Sequence, residues 1–334
     1  MERTAESLAR GRLFGLGRHL RDSAGKVRRF YRRTRAEFRY RWPVYDVWRR
    51  VRNTEPRRLY RLEAARMAPR EIEETVIRQL RETGISMVQL DDLLPGRKFS
   101  EIQRWAAAQL QVPAARERIA AVEGGARPKV KGDKYYIVRP LGDTPVFAVD
   151  DAVIGATLSD PILRVVCGYL GMFARLVALD LWYNVPMEGP DVFSQRWHRD
   201  PEDRALIKTF LYLRDVGESN GAFCYVPGTH NAGPLRQRIG RYNYPDDGVI
   251  EERFPSSARL VCTGRAGTLV FCDTTGFHRG GHATAGARFV FNAVYTTNGS
   301  EPLTRAVSQF SLKGSRSDLQ SPAARYAVGL VRDA

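Results

Sequence analysis

The chain lacks most of the short signatures that identify an enzyme at sight. No GxGxxG turn, P-loop, GxSxG, HExxH or EF-hand loop occurs in its 334 residues, so the phosphate-cradling, nucleophile-elbow, zincin and calcium-loop chemistries have no foothold. No apolar run approaches the roughly 20 residues that a membrane-spanning helix needs. The opening stretch, MERTAESLARGRLFGLGRHLR, has neither the continuous apolar segment nor the small-residue cleavage site of a secretory signal. Four cysteines, Cys167, Cys224, Cys262 and Cys272, are widely spaced and form no CxxC pair. That argues against a zinc ribbon or a disulfide framework and predicts reduced, buried thiols in a cytoplasmic protein. No internal repeat is visible, and histidine is scarce, with five in the whole chain.

Core-forming material is plentiful, with 43% hydrophobic and 10% aromatic residues, which excludes a disordered chain. The net charge of +16 and pI near 10.0 make anionic partners plausible. Much of the excess precedes position 70, in KVRRFYRRTRAEFRYRW and VWRRVRNTEPRRLYRLEAARMAPR. This predicts a basic helical arm over residues 1–68, punctuated by Pro43 and Pro56. Its interleaved arginines and aromatics could meet nucleic acid or an anionic membrane surface. No nucleic-acid-binding motif accompanies the charge, so an arm that packs its aromatic stripe on the body and keeps its arginines in water is the favoured expectation.

The body is expected over residues 69–300. Its first part, 69–172, reads as helical support. PREIEETVIRQLRETG forms a helix that starts near Pro69 and stops at Gly84, followed by a strand, ISMVQL. SEIQRWAAAQLQV and DPILRVVCGYLG give further helices, with Ser100 and Asp160 as expected N-caps. From 173 to 300 the texture changes to short β-rich runs: ARLVALDLWYNV, DVFSQRWH, LIKTFLYLRDV, GAFCYVPG, ARLVCTG, GTLVFC and ARFVFNAVYTT. ESNG, PGTH, TGRAG and RGGHATAG separate them. Many short strands between Gly- and Pro-rich turns predict a sandwich or jelly roll. Residues 301–334 are weakly patterned and read as a tail or a lid.

Four of the five histidines (His198, His230, His278, His282) fall in the β-rich part. His198 and Asp200, two apart at the end of FSQRWH, share a face if that segment is extended. A second imidazole from a distant strand would complete two histidines and one carboxylate, the set that holds Fe(II) on one face and leaves positions open. His278 and His282 both compete for that place, and the strand-to-ligand spacing favours His278. Arg288, ten positions after His278 and followed by Phe289, Val290 and Phe291, reads as a buried cation in need of an anion; its planar fork suits a dicarboxylate. Alone, H-x-D is a weak signal, and a surface turn explains it in most proteins.

The segment from Gln195 to Tyr295 resembles the phytanoyl-CoA dioxygenase-like family of Fe(II)/2-oxoglutarate oxygenases. It does so through QRWHRD, then LIKTFLYLRDVGESNGAFCYVPGTH, then Gly267 through Phe271 to His278 with Arg288 following. Thr268 departs from the pattern, which often has an acidic residue after that glycine. The resemblance implies a mainly β protein with flanking helices, built as a double-stranded β-helix (jelly roll, cupin-like). It implies His198, Asp200 and His278 as iron ligands and Arg288 on the distal carboxylate of 2-oxoglutarate. Gln195 is placed near the co-substrate. Lys208 is a weaker candidate for the same anion or for a substrate acid. His230 is expected to be structural, and Tyr183 and Asn184 either line the pocket or pack. The implied cofactors are Fe(II), 2-oxoglutarate and O2. The implied reaction is hydroxylation of an unactivated C–H with release of succinate and CO2, because the carboxylate Asp200 leaves no place for the chloride that related halogenases bind. Desaturation and epoxidation use the same ligands, and a binding protein acting through its basic arm is a separate alternative. The substrate is expected to be a small molecule, or one linked to an acyl group or carrier. The positive charge mildly favours an anionic one, and nothing in the sequence bears on oligomeric state.

Overall fold

The computed structural model describes residues 43–96, 98–128, 134–236, 245–300, 308–319, 321–329 and 331–333. Most of the expected Arg-rich arm, residues 1–42, lies outside the described residues. The chain divides into two compact units, Met1–Val51 and Arg52–Ala334. Described residues of the first lie in helix α1 (Pro43–Arg52).

The second unit contains the helices α2 (Thr54–Leu62), α3 (Glu71–Thr83), α4 (Lys98–Leu110), α5 (Asp160–Leu170) and α6 (Pro322–Ala327). Its strands in chain order are β1 (Ile85–Gln89), β2 (Ile137–Val138), β3 (Val146–Ala148), β4 (Arg175–Asn184), β5 (Leu206–Tyr212) and β6 (Phe223–Tyr225). They continue with β7 (Leu260–Cys262), β8 (Thr268–Cys272), β9 (His278–Arg279), β10 (Arg288–Thr296), β11 (Ser311–Lys313) and β12 (Arg332–Asp333). One six-stranded sheet runs β1-β8-β5-β10-β4-β2, with every pairing antiparallel. A smaller antiparallel sheet runs β7-β6-β9.

Side-chain alternation sorts the large sheet into two faces. Phe289, Phe291, Ala293 and Tyr295 of β10 join Leu179, Leu181, Leu211, Leu269 and Phe271 in the core beneath Ile77, Leu80, Leu163 and Val166 of α3 and α5. The other face presents Val290, Tyr212, Val270 and Cys272 to Phe223, Tyr225 and Cys262 of the small sheet. Because both faces are covered, β10 is buried along its whole length and reads as a nearly continuous apolar run. Helices outside and two antiparallel sheets face to face fit the expected jelly roll.

Local signals explain the helix ends. α3 stops at Gly84, which adopts a left-handed conformation (φ 84°) open to glycine at no steric cost. A Cβ there would lie 2.2 Å from Tyr225 Oη. The N-caps differ from expectation. Ser159 caps α5, with Asp160 and Pro161 in its first turn, where a carboxylate and a ring-fixed φ are both favourable. α4 begins before Ser100, at Lys98, and the Asp91 carboxylate accepts the Phe99 N–H at 3.0 Å. Glu73 and Arg164 fasten α3 to α5 with two buried hydrogen bonds of 2.7 Å.

The body extends beyond its expected limits at both ends. Asn53 is fully buried; its Nδ2 donates to Thr297 Oγ1 and its Oδ1 accepts the Gly299 N–H. The boundary after residue 68 followed charge, whereas α2 already packs against the body through the Tyr60–Phe173 ring pair. At the other end, β11 pairs in parallel with β12 on one side and β3 on the other, and Phe310, Leu312 and Val328 are core residues. Elements of two to six residues carry too little periodicity to be read from sequence as anything but a tail. All four cysteines are free and buried. Among the described residues, no helix is long and apolar enough to cross a membrane.

Candidate metal centre

His198, Asp200 and His278 converge. One ligand atom from each lies within 4.8 Å of the others, and the two imidazole centroids are 4.2 Å apart. The backbone brings them together. His198 and His278 exchange N–H···O=C bonds of 2.9 and 3.0 Å, and the Asp200 N–H donates to the Thr274 carbonyl. FSQRWH, expected as a strand, is instead a 3-10 turn over Phe193–Gln195 followed by a single bridge between His198 and His278. Phe193 has φ 49° and is partly exposed, a strained turn residue at which the chain reverses into the site.

Each imidazole is oriented by its own backbone. His198 Nδ1 lies 2.8 Å from the Arg196 carbonyl, and His278 Nδ1 lies 3.0 Å from that of Gly276. A carbonyl only accepts, so both Nδ1 atoms carry the proton and Nε2 is the nitrogen of each ring that can offer a lone pair to a metal. Burial, and after it the neighbouring His278, push the His198 imidazole down to about 3, which keeps it neutral. Burial alone would raise the Asp200 carboxyl, but Lys208, then His278 and His198, hold it well below the usual carboxylate range. Two imidazoles and one carboxylate, all buried or nearly so, fit a divalent iron.

Lys208 sits on β5 with its Nζ 2.6 Å from Asp200 Oδ2 and 3.6 Å from Glu202 Oε1. It therefore faces the carboxylate of the triad. Burial opposes its charge, and Asp200 and Glu202 more than offset this, raising it. Arg288 opens β10 and is 6% exposed. Its Nη1 donates to the Gly221 carbonyl, and a Cβ on Gly280, two residues past His278, would lie 3.4 Å from its Nη2. Its buried Nε has no hydrogen-bond partner among the described residues, which is the unmet demand an incoming carboxylate would satisfy. Gln195 is buried, and its Oε1 accepts the Val192 N–H, so one end of the amide holds the turn that leads to His198.

His282 is not one of the three. Its Nδ1 meets Asp191 at 3.1 Å and its Nε2 meets the Met187 carbonyl at 2.7 Å. His230 is fully buried and packs against Gly84 and Gly233. Tyr183 packs at a tilt against Phe289, on the helix-covered face, while Asn184 lies opposite Arg288 in the β4–β10 register.

A cavity of about 200 Å³ has Lys208 and Glu202 in its wall and meets the triad through the Lys208–Asp200 contact. Lys134, Arg139, Asp180, Trp182 and Asn292 also line it, and sequence reasoning singled out none of them. The signal was present in β4, where Asp180 and Trp182 alternate with Leu179, Leu181 and Tyr183, and in β10, where Asn292 interrupts an apolar run.

Comparison with known proteins agrees with this arrangement. No curated protein sequence matches the chain. Three solved structures illustrate the similarity. EctD from S. alaskensis, with 2-oxoglutarate and 5-hydroxyectoine, is 18% identical, covers 66% of this chain and 74% of its own, and gives a TM-score of 0.47. AviO1 from Streptomyces viridochromogenes is 19% identical over 69% of this chain and 97% of its own, with a TM-score of 0.45. The epimerase SnoN, in complex with Fe3+, alpha ketoglutarate and nogalamycin RO, is 17% identical over 68% and 84%, with a TM-score of 0.44. Likenesses of this size carry no argument about reaction or substrate. The family model for phytanoyl-CoA dioxygenase (PhyH) matches residues 98–290, more than half of the chain and all of the triad, and the chain belongs to the phytanoyl-CoA dioxygenase family of Fe(II)/2-oxoglutarate oxygenases.

Proposed function

We propose that the chain is an Fe(II)/2-oxoglutarate-dependent dioxygenase that hydroxylates a C–H bond of a small-molecule substrate. The observation that carries this reading is the triad, with both Nδ1 atoms committed to backbone carbonyls and three ligand atoms within 4.8 Å of one another. When bound, iron and 2-oxoglutarate supply the oxidising power, so that one atom of O2 ends in succinate, the other in the product hydroxyl, and CO2 leaves.

The residues of the chain do the rest. His198, Asp200 and His278 would hold the metal on one face, leaving room for the keto acid and O2. Arg288 would take the distal carboxylate through its unpartnered Nε and adjacent Nη2. Lys208 keeps Asp200 ionised and fixed in place, which makes it a positioning residue in this reading and not a contact to the keto acid. The apolar rings around the triad, Phe223 at 5.5 Å from His278 and Phe210 at 4.9 Å from Phe223, exclude water from the metal face. The carboxylate at position 200 favours hydroxylation over halogenation. The test is succinate formation from 2-oxoglutarate with added Fe(II). The purified chain is expected to form succinate, and His278→Ala to lose this while keeping its circular dichroism. Equal succinate formation by parent and variant would remove the assignment.

A further inference from the structure

The cavity beside the triad is small, polar and balanced in charge, and this bears on what the enzyme oxidises. Its volume of about 200 Å³ falls below the roughly 300–1,000 Å³ of sites that enclose drug-sized ligands. The wall carries both signs of charge, and most of these groups are engaged with one another. Arg139 bridges Asp180 at 3.1 Å and Asp143 at 3.2 Å, and Lys208 bridges Asp200 and Glu202.

What remains unpaired is specific. Lys134 lies with its ammonium 5.7 Å from the Trp182 ring centroid, and that ammonium makes no hydrogen bond or ion pair among the described residues. Asp180 Oδ1 and Glu202 Oε2 are buried, with no hydrogen-bond partner among the described residues. The other Asp180 oxygen is held by Arg139 and by Trp182 Nε1 at 2.5 Å, so the orientation of the free one is fixed. Burial, and then Lys208, lower the Lys134 ammonium; burial likewise raises the Asp180 carboxyl to about 6 despite Arg139. Both groups pay for desolvation without full compensation, a cost that a ligand of opposite sign at each would remove.

We propose that this cavity takes a small zwitterion of amino-acid size, its carboxylate on Lys134 and its ammonium between Asp180 and Glu202, as the molecule presented to the metal. The inference rests on the reading of the triad as an Fe(II)/2-oxoglutarate site. A net-neutral ligand leaves the charge balance of the wall intact, and Trp182 offers a flat apolar face to the carbon skeleton between the two charged ends. Lys208 bridges Asp200 to Glu202, and the Lys134 ammonium acts on Asp200 and His198, so both charged ends of the ligand border the triad.

The test uses the full chain loaded anaerobically with Fe(II) and 2-oxoglutarate, titrated calorimetrically with the proteinogenic L-α-amino acids, their methyl esters and their N-acetyl derivatives. At least one free amino acid is expected to bind and to accelerate succinate formation once O2 is admitted. Its ester and N-acetyl forms should bind about tenfold or more weakly, the loss of a charge-assisted contact. Lys134→Met should weaken the free acid and not the ester; Asp180→Asn should weaken the free acid and not the N-acetyl form. If the metal and keto acid bind normally and no free amino acid does, or if blocked and free forms bind alike, the zwitterion proposal fails alone. Lys134→Met that weakens 2-oxoglutarate and spares the amino acid likewise overturns it. If the metal and keto acid do not bind at all, the reading of the triad fails and the proposal falls with it.

Discussion

Arg288 gives a two-sided prediction. Its guanidinium is buried, with one hydrogen bond to the Gly221 carbonyl and an unpartnered Nε, and burial lowers its proton affinity. Without 2-oxoglutarate it is a charge taken out of water with no counter-charge beside it among the described residues. Removing one member of a buried, hydrogen-bonded charge pair costs about 2–5 kcal/mol. At about 1.4 kcal/mol per factor of ten, Arg288→Met should weaken 2-oxoglutarate by roughly 30- to 4,000-fold. Arg288→Lys keeps the charge and loses the fork. That is about one charged hydrogen bond, 1.5–3 kcal/mol, or roughly 10- to 150-fold. The ligand-free protein should respond in the opposite sense, because Arg288→Met deletes an uncompensated charge and should leave urea stability unchanged or higher. Anaerobic calorimetry of 2-oxoglutarate and urea denaturation of the free protein measure the two sides. Undiminished 2-oxoglutarate binding by Arg288→Met would refute the reasoning, and a large loss of stability in the free protein would show that the arginine serves the fold.

Two further predictions concern groups that support the fold and the site. Arg164→Met strands the Glu73 carboxylate, which is 1% exposed, and should cost about 3–5 kcal/mol in urea denaturation. Glu73→Gln added to it should recover part of that, though not all, because Glu73 also accepts the Arg70 N–H at 2.8 Å; a double variant no more stable than the single one would contradict the pair. Gly276→Ala places a Cβ 2.1 Å from Tyr225 Oη and displaces the carbonyl that orients His278. It should lower iron affinity by about 10- to 100-fold in a protein that remains folded, and parental iron affinity would speak against that carbonyl's role.

The jelly roll and the triad were legible because each rests on local grammar. Short β-rich runs between Gly- and Pro-rich turns, glycine at 84, and the H-x-D pair with a distant histidine followed by arginine are all short-range or order-dependent signals. The parts that were not legible depend on partners far apart in the chain. The contacts of Lys208, expected as a weaker candidate for a ligand anion, are with Asp200 and Glu202, because β5 places it beside the chain leaving His198. Lys134, Asp180 and Asn292 come from three segments that only the β2–β4–β10 arrangement brings to one cavity. The stop of the 3-10 turn before His198, in place of a strand, follows from the Gln195 contact to the Val192 N–H, a side-chain-to-backbone bond that propensity does not encode.

The claim that three side chains bind one ferrous ion is tested most directly by anaerobic titration of Fe(II) into the parent, His198→Ala and His278→Ala, followed by 2-oxoglutarate. The parent is expected to bind a single ion and to develop the weak visible band of the iron–keto acid chelate. Both variants should show neither, with unchanged circular dichroism. Iron binding and the same band in either variant would contradict the account.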